Sequence, residues 1–355
     1  MTASTVGSGS LAAGLESRTG QSRSTDLLSF EGRAMASPLR LAVSGHDPGP
    51  VAVAAAAWAA VRDEFEACEV AMSRFRETSE ISELNRRSPV ATTRPVSIRL
   101  RRALVACDRA RRLTDGRFDP RVLLDLERLG DHGAPIGRTN GAQLAPAKPP
   151  APAKPGARAT PAERAASAER VVEWLSSGRV RLSEPVDLGG IGKGLAIRWA
   201  ANAVRRLGVR SFLLDAGGDL VTAGEPPEGG PWRVGLEDPL GGDEPPAVIA
   251  SWDGAVATSS VRRRHWVADG RAVHHLIDPH TGDPGGNGLL AVTVAGPDPA
   301  WAEVWSKALF LEGCRGIATT ARRRGLAAWW IGEDGTIEMT PSGRARTLWM
   351  SGESR

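Results

Sequence analysis

The sequence predicts an α+β layered domain, a mixed or antiparallel sheet with helices packed against it. Three observations predict it. Helical periodicity fills three long stretches before residue 210. Short β-branched runs bounded by Gly, Pro and Asp then crowd the later chain: SFLLDAGG, WRVGLEDP, AVIASWDG, LLAVTVAGP and LAAWWIGEDG. Helices and strands alternate irregularly, without the regular order of a doubly wound parallel sheet. With 355 residues, 41% of them hydrophobic and 24% charged, the chain can bury a sizeable core.

The elements follow in order. Residues 1–28 are rich in Ser, Gly and Thr without periodicity and read as a disordered tail ahead of one domain spanning 29–345. LRLAVSG reads as a strand, and residues 50–72 as a helix whose Asp63, Glu64 and Glu66 form a solvated face. MSRFRETSEISELNR ends that helix and starts another, with Ser79 and Ser82 as candidate caps. The next helix covers 97–114 and stops at the Asp115-Gly116 turn signal. Residues 133–165 are Ala, Pro, Lys and Gly, an insert expected to loop out as an extended segment. A helix is expected over 189–207 and another over AWAEVWSKALF at 300–310. There Glu303 and Lys307, four apart, read as a surface pair worth ~0.3–0.5 kcal/mol unless they line a site.

Composition excludes several classes. The net charge of +4 comes from scattered Arg, without the basic stripe interleaved with aromatics that nucleic-acid binding needs. Three distant cysteines, Cys68, Cys107 and Cys314, show no metal spacing and fit a reducing compartment. The N-terminus carries no apolar signal segment, and the longest apolar run, VAVAAAAWAAV, is about half of the ~20 residues a membrane span needs. No membrane span and a cytoplasmic location are therefore expected.

Four stretches can carry chemistry. VDLGGIGKGLAIRWA places glycines before a helix and Lys193 in its first turn, where a cation is disfavoured unless an anion compensates it. Free N–H groups plus a Lys make a phosphate site, although the spacing is not that of a Walker A loop. DAGGD ends a strand with Gly217 and Gly218, which permit positive φ and close approach of a ligand, or simply turn a hairpin. HHLIDPHTGDP offers His residues with pKa values near neutrality, without zinc-protease spacing. GRFDP is a Gly-started turn running into Pro.

In order, MSRFRETSEISELNR, GRFDP, VDLGGIGKGLA, DAGGD, VATSS, HHLIDPHTGDP and AWAEVWSKALFLEG resemble the ApbE family of flavin transferases over about residues 32–340. The resemblance implies an ApbE-type fold with a single cofactor cleft. It implies FAD as substrate, magnesium as helper, and transfer of FMN to a Thr or Ser of an acceptor flavoprotein with release of AMP. Such chemistry needs charge neutralisation at phosphorus, a positioned hydroxyl and a base.

Carried over by motif, the resemblance implies flavin or FAD contacts at Met35, Phe75, Arg117, Phe118, Asp119, Asp187, Lys193, Gly217, Gly218 and Thr258. It implies His275 as base, with Asp278 orienting its loop. Two positions depart mildly: Gly192 replaces a usual Ala, and His274 a usual Ser. The larger departure is in AWAEVWSKALF, where relatives carry Asp and, four residues later, Thr as magnesium ligands. Glu303 and Lys307 stand there, and an ammonium has no acceptor. Three expectations stay open. Lys307 replaces the metal's charge and joins the catalytic residues; or magnesium binds through Gly190, Ala300 and Glu303; or the protein cleaves FAD to FMN and AMP, or only binds it, without transfer.

Overall fold

The computed structural model describes residues 27–45, 51–92, 94–131, 160–161, 163 and 170–352. Tail residues 1–26 and nearly all of the 133–165 insert lie outside the described residues.

The strands are β1 (Leu27–Ala34), β2 (Ser37–Ser44), β3 (Val172–Trp174), β4 (Val180–Leu182), β5 (Phe212–Ala216), β6 (Asp219–Ala223), β7 (Trp232–Gly235) and β8 (Ala247–Ser251). β9 (Ala255–Ser260), β10 (His265–Ala268), β11 (Arg271–His274), β12 (Leu289–Gly296), β13 (Ala327–Gly332), β14 (Ile337–Met339) and β15 (Thr347–Met350) follow. The helices are α1 (Val51–Met72), α2 (Glu80–Arg87), α3 (Ile98–Leu113), α4 (Leu123–Arg128), α5 (Gly192–Arg206), α6 (Pro299–Leu311), α7 (Gly313–Arg323) and α8 (Pro341–Arg344).

One eight-stranded sheet runs β1-β2-β5-β6-β9-β12-β13-β14, and every neighbouring pair in it is antiparallel. The fold is α+β, as predicted. The main core lies where α1, α3, α5 and α6 meet this sheet, built on Leu41, Phe65, Leu104, Ile197, Phe212 and Val304. A three-stranded sheet, β15-β8-β7, closes a smaller core around Trp329. Among the described residues no helix is long and apolar enough to cross a membrane.

The boundaries differ from expectation at both ends. β1 begins at Leu27, so the last two residues assigned to the tail belong to the sheet, paired along β2. At the other end β15 continues past residue 345 because Trp349 and Met350 pair with β8. Ser79 caps α2 by accepting from Ser82 N–H at 3.2 Å, whereas Ser82 is buried inside the helix. On α1, Asp63 and Glu66 are exposed, but Glu64 turns inward to pair with Arg99 at 2.7 Å.

Candidate functional site

The site is built where two helices meet. α6 is started by Asp298, whose carboxylate accepts from Trp301 N–H at 3.0 Å, with Pro299 at the first helical position. α5 starts without a side-chain cap, which leaves its first N–H groups seeking acceptors. Glu303 on α6 supplies one: its Oε2 accepts from Gly194 N–H at 2.7 Å. The helices approach this closely because Gly194 lacks a side chain. A Cβ there would stand 2.5 Å from both Ala300 Cα and Pro299 O. Ala300 is fully buried behind it.

Glu303 is 5% exposed, so Glu303 and Lys307 are not a solvated surface pair. Burial pushes the Glu303 carboxyl up to about 7, against the pull of Lys193. Lys193 forms an ion pair with Asp219 at the start of β6, the compensating anion its helix position calls for. Burial works against the Lys193 charge, but Asp219 and then Glu303 more than offset it and hold the ammonium above its usual range. Asp219 also accepts from Thr258 N–H at 3.0 Å, and the Thr258 hydroxyl bonds that of Thr293 at 2.8 Å.

One turn beyond Glu303, Lys307 reaches a narrow cleft that it lines with Arg117, Phe118, Asp187, Gly190 and His275. A Cβ built on Gly190 would stand 2.7 Å from Lys307 Nζ and 2.8 Å from a Phe118 ring carbon. Burial holds the Lys307 amine below its ordinary pKa, opposed by Asp187 and Glu303. Asp187 is half-buried, and desolvation raises its carboxyl, yet Arg74 at 3.4 Å, Lys307 and the Gly189 N–H at 2.8 Å keep it below its ordinary range.

His275 follows β11 and lies opposite Arg264. Its N–H and its Nδ1 both reach Arg264 O at 3.2 Å. A carbonyl accepts only, so Nδ1 carries the proton and Nε2 is left with its lone pair. Burial, then Arg264 and Lys307, push its pKa well below 6.5, which keeps the imidazole neutral. Asp278 holds the following loop: Oδ1 accepts from His280 N–H at 2.9 Å, and Oδ2 lies 3.5 Å from Arg117. Asp278 borders an adjoining hollow of about 450 Å³ that shares Leu311 with the cleft.

Met35, Phe75, Gly217, Gly218 and Thr258 do not line the cleft. Met35 sits in the β1–β2 turn with φ 48°, its N–H donating to Glu69 at 2.5 Å. Gly217 and Gly218 (φ 68° and 92°) turn the β5–β6 hairpin, and a Cβ on Gly217 would meet Ser37 at 2.8 Å. Asp119 borders the cleft, but its carboxylate accepts from Arg121 at 2.6 Å and Arg111 at 3.0 Å. Sequence reading missed Arg74, Asp131 and Arg264. Asp131 holds both arginines, and their guanidiniums stand 4.5 and 5.5 Å from the Phe75 ring centre. Arg74 lies in MSRFRETSEISELNR, whereas nothing local marks Asp131 or Arg264.

The residues proposed for a cation fit it poorly. Magnesium demands near-octahedral oxygen ligation. Here Glu303 is one carboxylate already engaged by Gly194 N–H, and an ammonium occupies the space over Gly190. Among the described residues no group of three His, Cys, Asp or Glu is placed to hold a metal.

The sequence profile of the ApbE family matches residues 35–330. An FAD:protein FMN transferase of Salmonella typhimurium is 28% identical over 312 residues, 86% of this chain and 84% of that protein. Another, from Klebsiella pneumoniae, is 27% identical and covers 90% of this chain and 93% of that one. The crystal structure of the ApbE protein from Thermotoga maritima superposes with a TM-score of 0.73 at 26% identity, covering 91% of this chain and all of that one. The apo flavinyl transferase ApbE of Pseudomonas stutzeri shares the fold at 24% identity, with a TM-score of 0.70 over 90% of this chain and 96% of that one.

Proposed function

This chain belongs to the ApbE family, and from that premise we propose that it transfers FMN from FAD to a Thr or Ser hydroxyl of an acceptor flavoprotein, releasing AMP. One observation supports it above others: the neutral His275, the Lys307 ammonium and Asp187 share one cleft beside the start of α5. In the proposed reaction the acceptor oxygen attacks the FMN phosphorus, forming a P–O bond. The bond from that phosphorus to the bridging oxygen breaks, and its electron pair leaves with AMP. His275 Nε2 takes the hydroxyl proton, a role within reach of a neutral imidazole whose Nδ1–H is fixed on Arg264 O. Arg117 and Lys307, which line that cleft, add positive charge around the phosphates.

The same attack by water would give FMN and AMP, and Lys307 in place of a Thr favours keeping that second reading in the test. The unpaired Cys68, Cys107 and Cys314 support a reducing compartment and a cytoplasmic acceptor. Purified protein is incubated with FAD and a Thr-containing peptide, and AMP and peptide-bound flavin are measured by chromatography. AMP together with flavinylated peptide is expected. AMP alone would replace transfer by hydrolysis, and no AMP would overturn both.

A further inference from the structure

We propose that the Lys307 ammonium is a built-in substitute for a divalent cation, contacting the phosphoanhydride of FAD directly and freeing FAD cleavage from metal. This rests on the FAD-cleaving reading above. The place is filled: Lys307 Nζ stands over Gly190, 2.7 Å from where a Cβ would begin, in the cleft that also holds His275 and Asp187. The donors are uncommitted. Among the described residues Lys307 makes no hydrogen bond or ion pair, whereas Lys193 is committed to Asp219.

The neighbouring carboxylates are arranged for an ammonium rather than for a metal. Burial disfavours the Lys307 charge and Asp187 and Glu303 oppose that effect, while each carboxylate already holds a backbone N–H, Gly189 for one and Gly194 for the other. A dication here would meet an ammonium with three N–H groups and no lone pair. With FAD bound, those N–H groups point the other way in charge terms: they donate to phosphate oxygens and stabilise the charge that gathers as the bond to AMP breaks. The acceptor's proton still goes to His275 Nε2, so no further reactant is required.

The test uses the full chain. FAD affinity is read by quenching of flavin fluorescence, cleavage by AMP release, and metal binding by the electron paramagnetic resonance of Mn2+, each in EDTA or in divalent salt. Wild type is expected to bind and cleave FAD within twofold with EDTA or Mg2+, and to leave the free Mn2+ signal unchanged. Lys307→Thr should lose at least tenfold in FAD affinity in EDTA, recover it with Mg2+, and bind Mn2+. Lys307→Met, which keeps an unbranched chain one atom shorter and removes the charge, should lose affinity without recovery. A thermal melt within a few degrees of wild type is the check that this variant is folded. Wild-type dependence on Mg2+, stoichiometric Mn2+ binding by wild type, or Lys307→Met cleaving FAD like wild type would each overturn the proposal. Metal-independent AMP release without flavinylated peptide would overturn only the transfer reading and leave this one standing.

Discussion

Lys307 Nζ occupies the space that a side chain on Gly190 would need, 2.7 Å from the position of its Cβ, with the Phe118 ring at 2.8 Å on the same glycine. The ammonium is the far end of a flexible chain and can retreat. The ring is 3% exposed and cannot. Gly190→Ala is therefore expected to overpack the cleft, costing about 1–2 kcal/mol of stability and displacing Lys307. Urea denaturation checks the first effect, and an FAD titration in EDTA, expected to weaken about tenfold, checks the second. Unchanged FAD affinity would show that Lys307 is not held against Gly190.

Asp119 separates motif from contact. Its carboxylate is 2% exposed and binds the equally buried Arg121. Asp119→Ala deprives that guanidinium of its carboxylate, and losing one partner of a buried pair costs about 3–5 kcal/mol. A large drop in the urea midpoint is expected, with the FAD affinity of the folded protein within threefold of wild type. A large loss of affinity in a fully folded variant would restore direct flavin contact to Asp119.

Which parts of this were legible in the sequence follows from the range of each interaction. Lys193 was legible because a cation in a helix's first turn needs an anion; the anion, Asp219, stands in the DAGGD stretch that reads as a turn. His275 was legible by motif, but its tautomer depends on Arg264 O across the β10–β11 hairpin, which no local pattern shows. The Arg74–Asp131–Arg264 cluster draws on three separate segments and was invisible for that reason. Among the strands, β12 and β13 announced themselves as long β-branched or aromatic runs. β6 and β9 pair through only two residues each, and DAGGD and VATSS read as motifs rather than as paired neighbours. Glu303 was legible only by motif, since an i, i+4 spacing with Lys307 fits a surface pair equally well; its bond to Gly194 N–H depends on the approach of α5 to α6, which no local pattern shows.

His274 carries a pH dependence. Burial lowers its pKa to about 4, and its ring stands edge-on to Phe310 at 5.8 Å. A base whose folded pKa is depressed contributes stability that is fully present above its unfolded pKa, near 6.5, and is lost as pH falls toward 4. His274→Gln should cost about 1 kcal/mol at pH 7.5 through lost ring packing. The wild type should then lose on the order of 2 kcal/mol more than the variant between pH 6.5 and 4, allowing for the partial exposure of the ring. Denaturation at several pH values reads this directly; parallel pH curves would show that folding does not lower the His274 pKa and that this residue does not drive acid unfolding.

Two glycines of α5 should respond oppositely to the same methyl group. At Gly192 a Cβ meets nothing within 4 Å, and its φ is not in the left-handed region. Gly192→Ala is expected to stabilise by about 0.5 kcal/mol, because alanine gives up less backbone entropy in a helix. At Gly194 the added Cβ would stand 2.5 Å from Ala300 Cα and Pro299 O, which are backbone atoms of the facing helix. Gly194→Ala must push α6 away and break the N–H bond to Glu303, so a loss of about 3 kcal/mol or more is expected from overpacking plus a buried, unsatisfied carboxylate. Because Lys307 rides on the same helix, FAD affinity should fall with it. Thermal melts of the two variants, measured side by side with an FAD titration, decide the matter. Equal effects at both positions would mean that α5 and α6 are not in the contact through which Gly194 positions Glu303.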